Sequence, residues 1–483
     1  MSSYPYSIDN VRQILKELNV TGKMKRDWMH VVRGNDDIDL VQVRQEYNTL
    51  RKEYHKMEKD NSDELLEMRE RLSEKKQNIQ DTEDDIIDDI YKRISQKDIR
   101  LQINVQQTKD KKSIFEAKDR ESYFLCKLIN HELERVYKIE TYSRDSIISD
   151  LSQILSDQHD KVIIRTDVKS FFESIPRAKL MDKLTNDGII SNRTLKLLRR
   201  LNFDLSKMDV KYSDGVPRGL SFASTLSEIY LRDIDRRINQ IPGLYYYRRF
   251  VDDIIIIANN VDDKGVIEIQ ETVNELFTSK GLMLHHDDEK SFCKAITYPS
   301  KEKVEFNYLG YHIEVYGTGN VKFSLSKDRF ERYKSYIDNI LTFYSKHAFI
   351  RPKDRIKGKN CSKMRHSQPI YKLYIALDFL TRNYNLSGRK SNIKSGIYFK
   401  HRNLTEVKQL AKLDKYLYDS VDKYFNPKTI TCKSKIPDGF CEGIVNKIKS
   451  HYSFEKGFSN RLMCHLSSAD IKAVKRIIKY NGK

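Results

Sequence analysis

The most constraining feature of this 483-residue sequence is a pair of adjacent aspartates inside an apolar, β-favouring segment. Residues 245–251 (YYYRRFV) precede Asp252 and Asp253, and residues 254–258 (IIIIA) follow them. Burying two adjacent carboxylates without a cation or a hydrogen-bonding partner is costly, whereas the tight turn of a β-hairpin projects them together. Five other Asp-Asp doublets occur in the chain. The flanking strands, and not the doublet alone, therefore predict a functional hairpin.

A second carboxylate ends another apolar segment, KVIIRTDV, in which Asp167 follows Val162, Ile163 and Ile164. Two such strands side by side would bring Asp167 and Asp252 to one place. Converging carboxylates suit hard divalent cations, and a pair of Mg²⁺ ions supports nucleotidyl transfer by activating a hydroxyl and stabilising the leaving pyrophosphate. These two segments alone leave an alternative open, in which Asp167 caps a helix and the doublet is an ordinary turn.

The pattern of apolar residues, glycines, prolines and turns along the sequence predicts three regions, at residues 1–110, 111–325 and 326–483. The first holds a short amphipathic helix at 11–18 and, from about 40 to 100, a stretch nearly free of Gly and Pro with apolar residues at helical spacing, which predicts a long helical hairpin. The second region alternates apolar strands with turns and helices, which predicts a mixed α/β layer. Long helices return in the third region.

The net charge of +19 comes from the last third of the chain. Residues 331–483 hold 33 Lys and Arg against 12 Asp and Glu, whereas residues 1–330 hold 55 against 57. A segment this basic attracts polyanions and neutralises phosphates, so we predict contact with nucleic acid in place of a merely solvated helical surface. The basic residues expected to make this contact are Arg351, Lys353, Arg355, Lys357, Lys359 and Arg365.

Nothing in the sequence predicts a membrane or extracellular location. No apolar run approaches the roughly 18 to 20 residues of a membrane-spanning helix, and the first residues lack the pattern of a secretory signal. Six cysteines show neither paired spacing nor a dense framework, which favours reduced thiols. We expect a cytoplasmic protein without membrane contact.

Five segments occur in the order of the palm motifs of reverse transcriptases, and the sequence resembles that family. Residues 167–172 (DVKSFF) resemble the first motif, residues 215–224 (GVPRGLSFAS) the second, and residues 250–253 (FVDD) the catalytic third. Residues 281–291 are similar to the fourth motif, and residues 306–311 (FNYLGY) to the primer-grip hairpin.

The resemblance implies an α+β fold with right-hand polymerase fingers and palm, built from an antiparallel sheet with helices. An N-terminal helical segment and a basic all-α C-terminal region, with the thumb, would flank this core. Contact between the primer-grip hairpin and nucleic acid is assigned by the resemblance to Tyr308, Leu309 and Gly310.

The activity that the resemblance implies is RNA-directed DNA polymerisation with two Mg²⁺ ions. The metal ligands implied are Asp167, Asp252, Asp253 and Val168, the three aspartates being catalytic. Lys290 matches the family's lysine that can protonate the leaving pyrophosphate, and is also implied to be catalytic.

Nucleotide contacts are implied for Phe172, Arg218 and Gly219. Phe172 matches the bulky residue beneath the incoming sugar, where an aromatic ring collides with a ribose 2′-hydroxyl and so favours deoxynucleotides. Glycine in the second motif allows the backbone to approach a base pair closely. The family usually has Gln where Arg218 stands.

Cations for the incoming triphosphate form a further expectation. Arg144 and Lys138 fall where the fingers of related enzymes supply such cations. Arg165 and Lys169, which flank Asp167, are the alternative.

The sequences of residues 165–176 and 217–230 are most similar to those of bacterial reverse transcriptases of the abortive-infection and unknown-group branch. This branch is associated with antiphage defence and is related to retron enzymes. The likeness implies as partners an RNA template or noncoding RNA, a DNA product, dNTPs, and a homo-oligomer or second defence protein. Two alternatives stay open: untemplated or protein-primed DNA synthesis by the same palm site, and a catalytically inactive, maturase-like RNA-binding scaffold.

Overall fold

The computed structural model describes residues 4–21, 28–33, 36–57, 62–108, 112–140, 142–212, 214–259, 262–285, 291–347, 367–386, 394–426 and 439–479. The helices of this part are α1 (Ile8–Thr21), α2 (Leu40–Met57), α3 (Ser62–Ile94), α4 (Arg120–Tyr137), α5 (Arg144–Ser156), α6 (Phe171–Ser174), α7 (Arg177–Asp187), α8 (Asn192–Met208), α9 (Ala223–Ile238), α10 (Asp263–Ser279), α11 (Lys327–His347), α12 (Ser367–Thr381), α13 (Ile397–His401), α14 (Lys408–Tyr424), α15 (Phe440–His451), α16 (Phe454–Ser459) and α17 (Ser468–Ile477). The strands are β1 (His30–Arg33), β2 (Asp36–Asp39), β3 (Ile103–Gln107), β4 (Ser113–Ala117), β5 (Lys161–Asp167), β6 (Leu244–Phe250), β7 (Asp253–Asn259), β8 (Phe292–Ile296), β9 (Lys303–Tyr308), β10 (Tyr311–Tyr316), β11 (Val321–Leu325), β12 (Asn383–Asn385) and β13 (Lys394–Gly396).

The chain packs into two compact units. The first consists of Met1–Thr141, Arg165–Ile255 and Asp262–Ser291, and the second of Tyr142–Ile164, Ile256–Val261 and Phe292–Lys483. The division into residues 1–110, 111–325 and 326–483 stays a prediction.

The N-terminal part of the first unit is helical. The predicted amphipathic helix is present as α1, with both ends longer than predicted, and the predicted helical hairpin is present as α2 and α3, which pack against each other. Two antiparallel ladders, β1 with β2 and β3 with β4, accompany these helices.

The core of the first unit is built around α9. Its apolar residues Leu226, Tyr230, Ile234 and Ile238 recur every four positions, as expected for a helix with one buried face, and each has at most 4% of its surface exposed. Helices α7, α10 and α4 pack on α9. This buried helix is the support on which the candidate site is built.

A four-stranded sheet has the order β6-β7-β5-β8. Its two central strands are β5 and β7. Their apolar runs are buried along almost their whole length, as expected for central strands covered on both faces.

The second unit combines an antiparallel three-stranded sheet, β11-β10-β9, with helices α5 and α11–α17. The C-terminal region is mostly helical, as predicted, but it also contains the short antiparallel ladder of β12 and β13, so it is not entirely α-helical. Among the described residues of the chain, no helix combines the length and apolar character needed to cross a membrane.

Candidate active site

The first predicted carboxylate lies at the end of a buried strand. β5 carries Ile163 and Ile164 into the core, and Asp167 is its last residue, with 9% of its surface exposed. The chain then turns at Ser170, whose φ of 46° lies in the left-handed region, and enters α6. A non-glycine residue in that conformation stores strain that the surrounding structure must hold. The surrounding structure therefore holds the turn after Asp167 in one strained conformation.

Asp252 and Asp253 lie at a β-hairpin, as the sequence predicts. β6 ends at Phe250, Val251 and Asp252 connect the strands, and β7 begins at Asp253. Val251 has a φ of 60°, which a β-branched residue rarely adopts because its Cβ crowds the backbone. The connection thus stores strain at the position where it projects the two carboxylates.

Arg249 fixes this strained connection. Its side chain is 4% exposed, and its guanidinium donates to Glu228 Oε2 at 2.6 Å and to Asp235 Oδ2 at 2.8 Å, both on α9. A further bond runs from Nη1 to the carbonyl oxygen of Val251 at 2.8 Å. Burial opposes the charge of the guanidinium, but Asp235 and Glu228 outweigh burial and hold the pKa of Arg249 well above its usual value. A permanently charged side chain therefore ties the turn to a buried helix.

Backbone hydrogen bonds bring the two carboxylate segments together. The N–H of Val168 donates to the carbonyl oxygen of Asp252 at 3.2 Å, so the residue after Asp167 lies beside the hairpin connection. On the opposite edge, the N–H of His285 donates to the carbonyl oxygen of Asp167 at 2.8 Å. The N–H and C=O groups of one strand residue point to the same side, so the Val168 carbonyl faces the hairpin. The predicted convergence of Asp167 and Asp252 is present.

This donor set fits a hard divalent cation. The three aspartates offer carboxylate oxygens and Val168 offers a carbonyl oxygen, which are the ligands that Mg²⁺ prefers. The guanidinium of Arg165 lies 3.9 Å from Asp253 Oδ1 and offsets part of the negative charge.

A different group of potential ligands lies on β9 and β10. Among the described residues, Glu305, His312 and Glu314 place their ligand atoms within 4.8 Å of one another. Lys303 forms ion pairs with both glutamates, at 2.9 Å to Glu305, and lowers the pKa of each. An ammonium group already pairs with both carboxylates of this group of side chains, so we assign no metal to it.

The two aromatic residues after Asp167 have different surroundings. Phe171 is 3% exposed and belongs to the core, whereas Phe172 is half-buried, with its ring 5.1 Å from that of Phe171. The guanidinium of Arg218 lies 5.8 Å from the centre of the Phe172 ring. The N–H of Val216 donates to the carbonyl oxygen of Phe172 at 2.7 Å. The structure thus brings together Phe172, from the first motif, and Arg218, from the second.

Arg177 holds the glycine turn of the second motif. Its side chain donates to the carbonyl oxygens of Tyr212, Asp214 and Gly215 at 2.7 to 2.8 Å. Burial lowers the pKa of this guanidinium, which the neighbouring Asp214 partly opposes. Gly215 has a φ of 77°, and a Cβ there would lie 2.9 Å from the backbone of Glu173. Only glycine fits this approach of the second motif to the first.

The second motif is also bonded to strand β4. The N–H of Phe115 donates to the carbonyl oxygen of Arg218 at 2.8 Å. Gly219 has a φ of 109°, and a Cβ there would lie 2.5 Å from the carbonyl oxygen of Phe115. Glycine is required at this position by a neighbouring strand, in addition to any nucleotide contact. The sequence gives no signal of this pairing because β4 lies about a hundred residues earlier in the chain.

The two predicted triphosphate cations lie in different units, and their role at the nucleotide stays a prediction. Lys138 is the exposed C-terminal cap of α4, with a φ of 48°, and among the described residues it makes no contact with the three aspartates. Arg144 belongs to the second unit, where its guanidinium lies 5.3 Å from the centre of the Tyr311 ring and donates to the carbonyl oxygen of Lys400. The alternative cation, Arg165, is the one seen beside the carboxylates.

The predicted primer-grip residues form a two-residue hairpin connection in the second unit. Leu309 and Gly310 have φ angles of 46° and 79° between the paired residues Tyr308 and Tyr311, which is the signature of a tight β-hairpin. Tyr308 is 1% and Leu309 9% exposed. Any contact of this turn with nucleic acid would therefore use its backbone.

Several predicted residues lie outside the described part of the chain. These are Lys290, Arg351, Lys353, Arg355, Lys357, Lys359 and Arg365. Their roles stay predictions.

Two supports of the site, Arg249 and Arg177, are not among the functional residues predicted from the sequence. A signal existed for Arg249, because Glu228 and Asp235 are seven residues apart, on one face of a predicted helix, and Arg249 lies three residues before Asp252. Arg177 gave no comparable signal, since its acceptors are backbone carbonyls of a distant loop.

Comparison with known families gives a match over residues 90–313 to the family described as reverse transcriptase (RNA-dependent DNA polymerase). No curated protein matches the chain.

Among solved structures, the chain is similar to telomerase from Candida albicans in a complex with a telomeric RNA fragment (14% identity, TM-score 0.28, 74% of this chain and 56% of that chain). It is also similar to the RNA polymerase complex inside a dsRNA virus (10% identity, TM-score 0.31, 54% of this chain and 25% of that chain). A third similar structure is described as RNA-dependent RNA polymerase, vp4, dsRNA (10% identity, TM-score 0.30, 82% of this chain and 46% of that chain). The chain spans from a quarter to just over half of the length of these proteins. Because these TM-scores are all 0.31 or lower, the structural similarities support no argument about the function of this chain, and only the family match does.

Proposed function

We propose that the chain copies RNA into DNA with Mg²⁺, and that residues 90–313, which match the reverse transcriptase family, carry this activity. One observation supports this most strongly. The hydrogen bond from Val168 N–H to the Asp252 carbonyl oxygen joins the strand that ends in Asp167 to the hairpin that carries Asp252 and Asp253.

In this proposal, Asp167, Asp252, Asp253 and the carbonyl of Val168 hold the metal. Two bound Mg²⁺ ions would supply activation of the primer hydroxyl and stabilisation of the leaving pyrophosphate. Arg165, 3.9 Å from Asp253, limits the repulsion between the carboxylates. The proposed proton donor to the pyrophosphate remains Lys290, on the resemblance alone.

Phe172 is proposed to select deoxynucleotides. Its half-buried ring packs edge-on against the core residue Phe171, and the guanidinium of Arg218 lies 5.8 Å from its centre. A ring packed against the core turns away from an incoming sugar less easily than an isolated surface phenylalanine. Arg218, with its guanidinium on this ring, is positioned to meet a nucleotide or template phosphate.

The basic C-terminal third is proposed to hold RNA, either a template or a dedicated noncoding RNA. Its excess of 33 basic over 12 acidic residues supports this partner. The proposed setting is bacterial antiphage defence, with a homo-oligomer or a second defence protein as partner. This setting is supported by the likeness of the first and second motifs to the abortive-infection branch.

The test is incorporation of labelled dNTPs with Mg²⁺ on a primed RNA template. The double variant Asp252→Asn/Asp253→Asn should lose about a hundredfold or more of the rate, because metal assistance contributes several kcal/mol to such steps. The matched control is Asp262→Asn/Asp263→Asn, which alters a doublet at the start of α10, where asparagine still caps a helix. The control should keep the wild-type rate.

The nucleic acid that copurifies with the protein should be sequenced in the same experiment. A discrete RNA, and cDNA copied from it by the wild type but not by the Asp252/Asp253 variant, is the expected result. Products without a copied template would point to untemplated or protein-primed synthesis. A discrete RNA with no incorporation by the wild type would contradict the proposal and favour an RNA-binding scaffold.

A further inference from the structure

A surface cavity in the first unit, which none of the three aspartates lines, lies between the C-terminal end of α3 and the first turns of α8. Its volume is about 330 Å³, within the range of small-molecule sites. Residues lining it include Ser95, Gln96, Asn192, Ile99 and Leu197. The cavity therefore offers hydroxyl and amide groups for hydrogen bonding, together with a small apolar area.

Four cations line the same cavity: Lys97, Arg193, Lys196 and Arg200. No Asp or Glu is among the described residues that line it. The concentration of positive charge is local, because residues 1–330 as a whole hold 55 basic and 57 acidic residues. A concave surface lined by several cations concentrates anions.

The two arginines are held in place by neighbouring groups. Arg193 donates to the carbonyl oxygen of Ile94 and lies 4.5 Å from the centre of the Tyr6 ring. Arg200 donates to the carbonyl oxygen of Ile99 at 3.3 Å, and its pair with Asp98 at 3.2 Å is screened by water because the Asp98 side chain is 88% exposed. Their guanidinium groups are thus ordered before any ligand arrives.

Lys97 and Lys196 differ from the arginines. Both are exposed, and neither forms an ion pair with any residue that the structure describes. The N-terminus of α8 adds little to the attraction, because the buried carboxylate of Glu132 already accepts from Ser191 and Thr194 in its first turn. The side chains, and not the helix dipole, give the cavity its positive character.

We propose that this cavity binds a nucleotide, with the phosphates on Lys97, Lys196 and Arg200 and the base against Ile99 and Leu197. Cations for phosphate, amides for a base or sugar, and a small apolar floor are the chemistry that a nucleotide requires. The nucleotide is either free or part of a bound RNA strand. The proposal does not depend on the polymerase function.

Photo-crosslinking tests the proposal with two probes. One is 8-azido-ATP, and the other is a 5′-phosphorylated single-stranded RNA with 4-thiouridine at its first position. The full chain carrying Asp252→Asn/Asp253→Asn is used without Mg²⁺, so that polymerisation plays no part. The expected result is labelling of the peptides around residues 95–100 and 192–200, identified by mass spectrometry.

The variant Lys97→Glu/Lys196→Glu should lower this labelling at least about tenfold, the effect of losing about one strong charged contact. The matched control Lys76→Glu/Lys92→Glu changes two exposed lysines of α3 outside the cavity and should leave it unchanged. Labelling by 8-azido-ATP alone would identify a free nucleotide, and labelling by the RNA would identify a strand. No labelling of these peptides by either probe, or equal labelling of the cavity variant and the control, would overturn the proposal.

Discussion

Replacing Arg249 with methionine should destabilise the protein and weaken its use of Mg²⁺ together. The side chain of Arg249 is 4% exposed and joins Glu228, Asp235 and the Val251 carbonyl. Methionine fills a similar volume but donates no hydrogen bond, so the two carboxylates and the strained turn lose their common partner.

The size of the effect follows from the burial of each partner. Removing one member of a buried ion pair costs about 3–5 kcal/mol. The side chains of Glu228 and Asp235 are 23% and 26% exposed, so water reaches the carboxylates that Arg249→Met leaves behind. We therefore expect the lower end of the range, a loss of about 3 kcal/mol in the free energy of unfolding.

Both stability and Mg²⁺ dependence must be measured, because a purely structural role of Arg249 would change only the stability. Urea denaturation gives the loss of stability, and the Mg²⁺ concentration at half-maximal incorporation should rise as the turn that carries Asp252 loosens. For Arg249→Lys, both the loss of stability and the rise in the Mg²⁺ midpoint should lie between those of the wild type and of Arg249→Met, because lysine keeps the charge but lacks the planar guanidinium. The exposed Arg236, on the same helix, provides the control Arg236→Met, with a change within about 0.5 kcal/mol. Arg249→Met with stability within about 1 kcal/mol of the wild type and an unchanged Mg²⁺ midpoint would refute the reasoning.

Three other predictions concern single positions. Phe172→Ala should raise the use of rNTPs relative to dNTPs at least about tenfold, as measured by competition, and an unchanged ratio would refute its assignment as the gate. Gly219→Ala should lower the free energy of unfolding by about 1–3 kcal/mol through the clash with β4, whereas Gly443→Ala, with nothing within 4 Å, should not lower it. The ring of His401 is buried beside Arg329, and burial and that charge hold its pKa well below the usual value. The unfolded chain therefore takes up the proton first, so the free energy of unfolding should fall as the pH drops below about 6.5, by up to about 1.4 kcal/mol per pH unit, and His401→Gln should flatten this dependence in denaturation curves.

The hairpin of Asp252 and Asp253 could be predicted because its determinants are local. Two β-favouring runs flank a pair of residues that a strand cannot bury cheaply, and the structure has strands on both sides of the connection. The same holds for the turn of Leu309 and Gly310, where glycine supplies one positive φ. The buried face of α9 likewise follows from apolar residues at a spacing of four.

Other features depend on contacts between distant parts of the chain. The glycine turn of the second motif is fixed by Arg177 and by a strand about a hundred residues earlier. The resemblance assigns Arg144 to the nucleotide, which stays a prediction, and no local pattern indicates the contacts that it makes with Tyr311 and Lys400, more than 150 residues later. No local pattern encodes such pairings, because register and partner are set by the whole sheet.

The most direct test of the central claim, that Asp167 and Asp252 bind metal together, is localised cleavage by Fe²⁺ bound in place of Mg²⁺. In the presence of ascorbate and peroxide, the chain should be cut near both residues 167 and 252, although 85 positions separate them. Excess Mg²⁺ should suppress both cuts, and Asp252→Asn/Asp253→Asn should abolish both. Cleavage near only one of the two segments, cleavage near Glu305 and His312 instead, or cuts that survive in the variant would contradict the account.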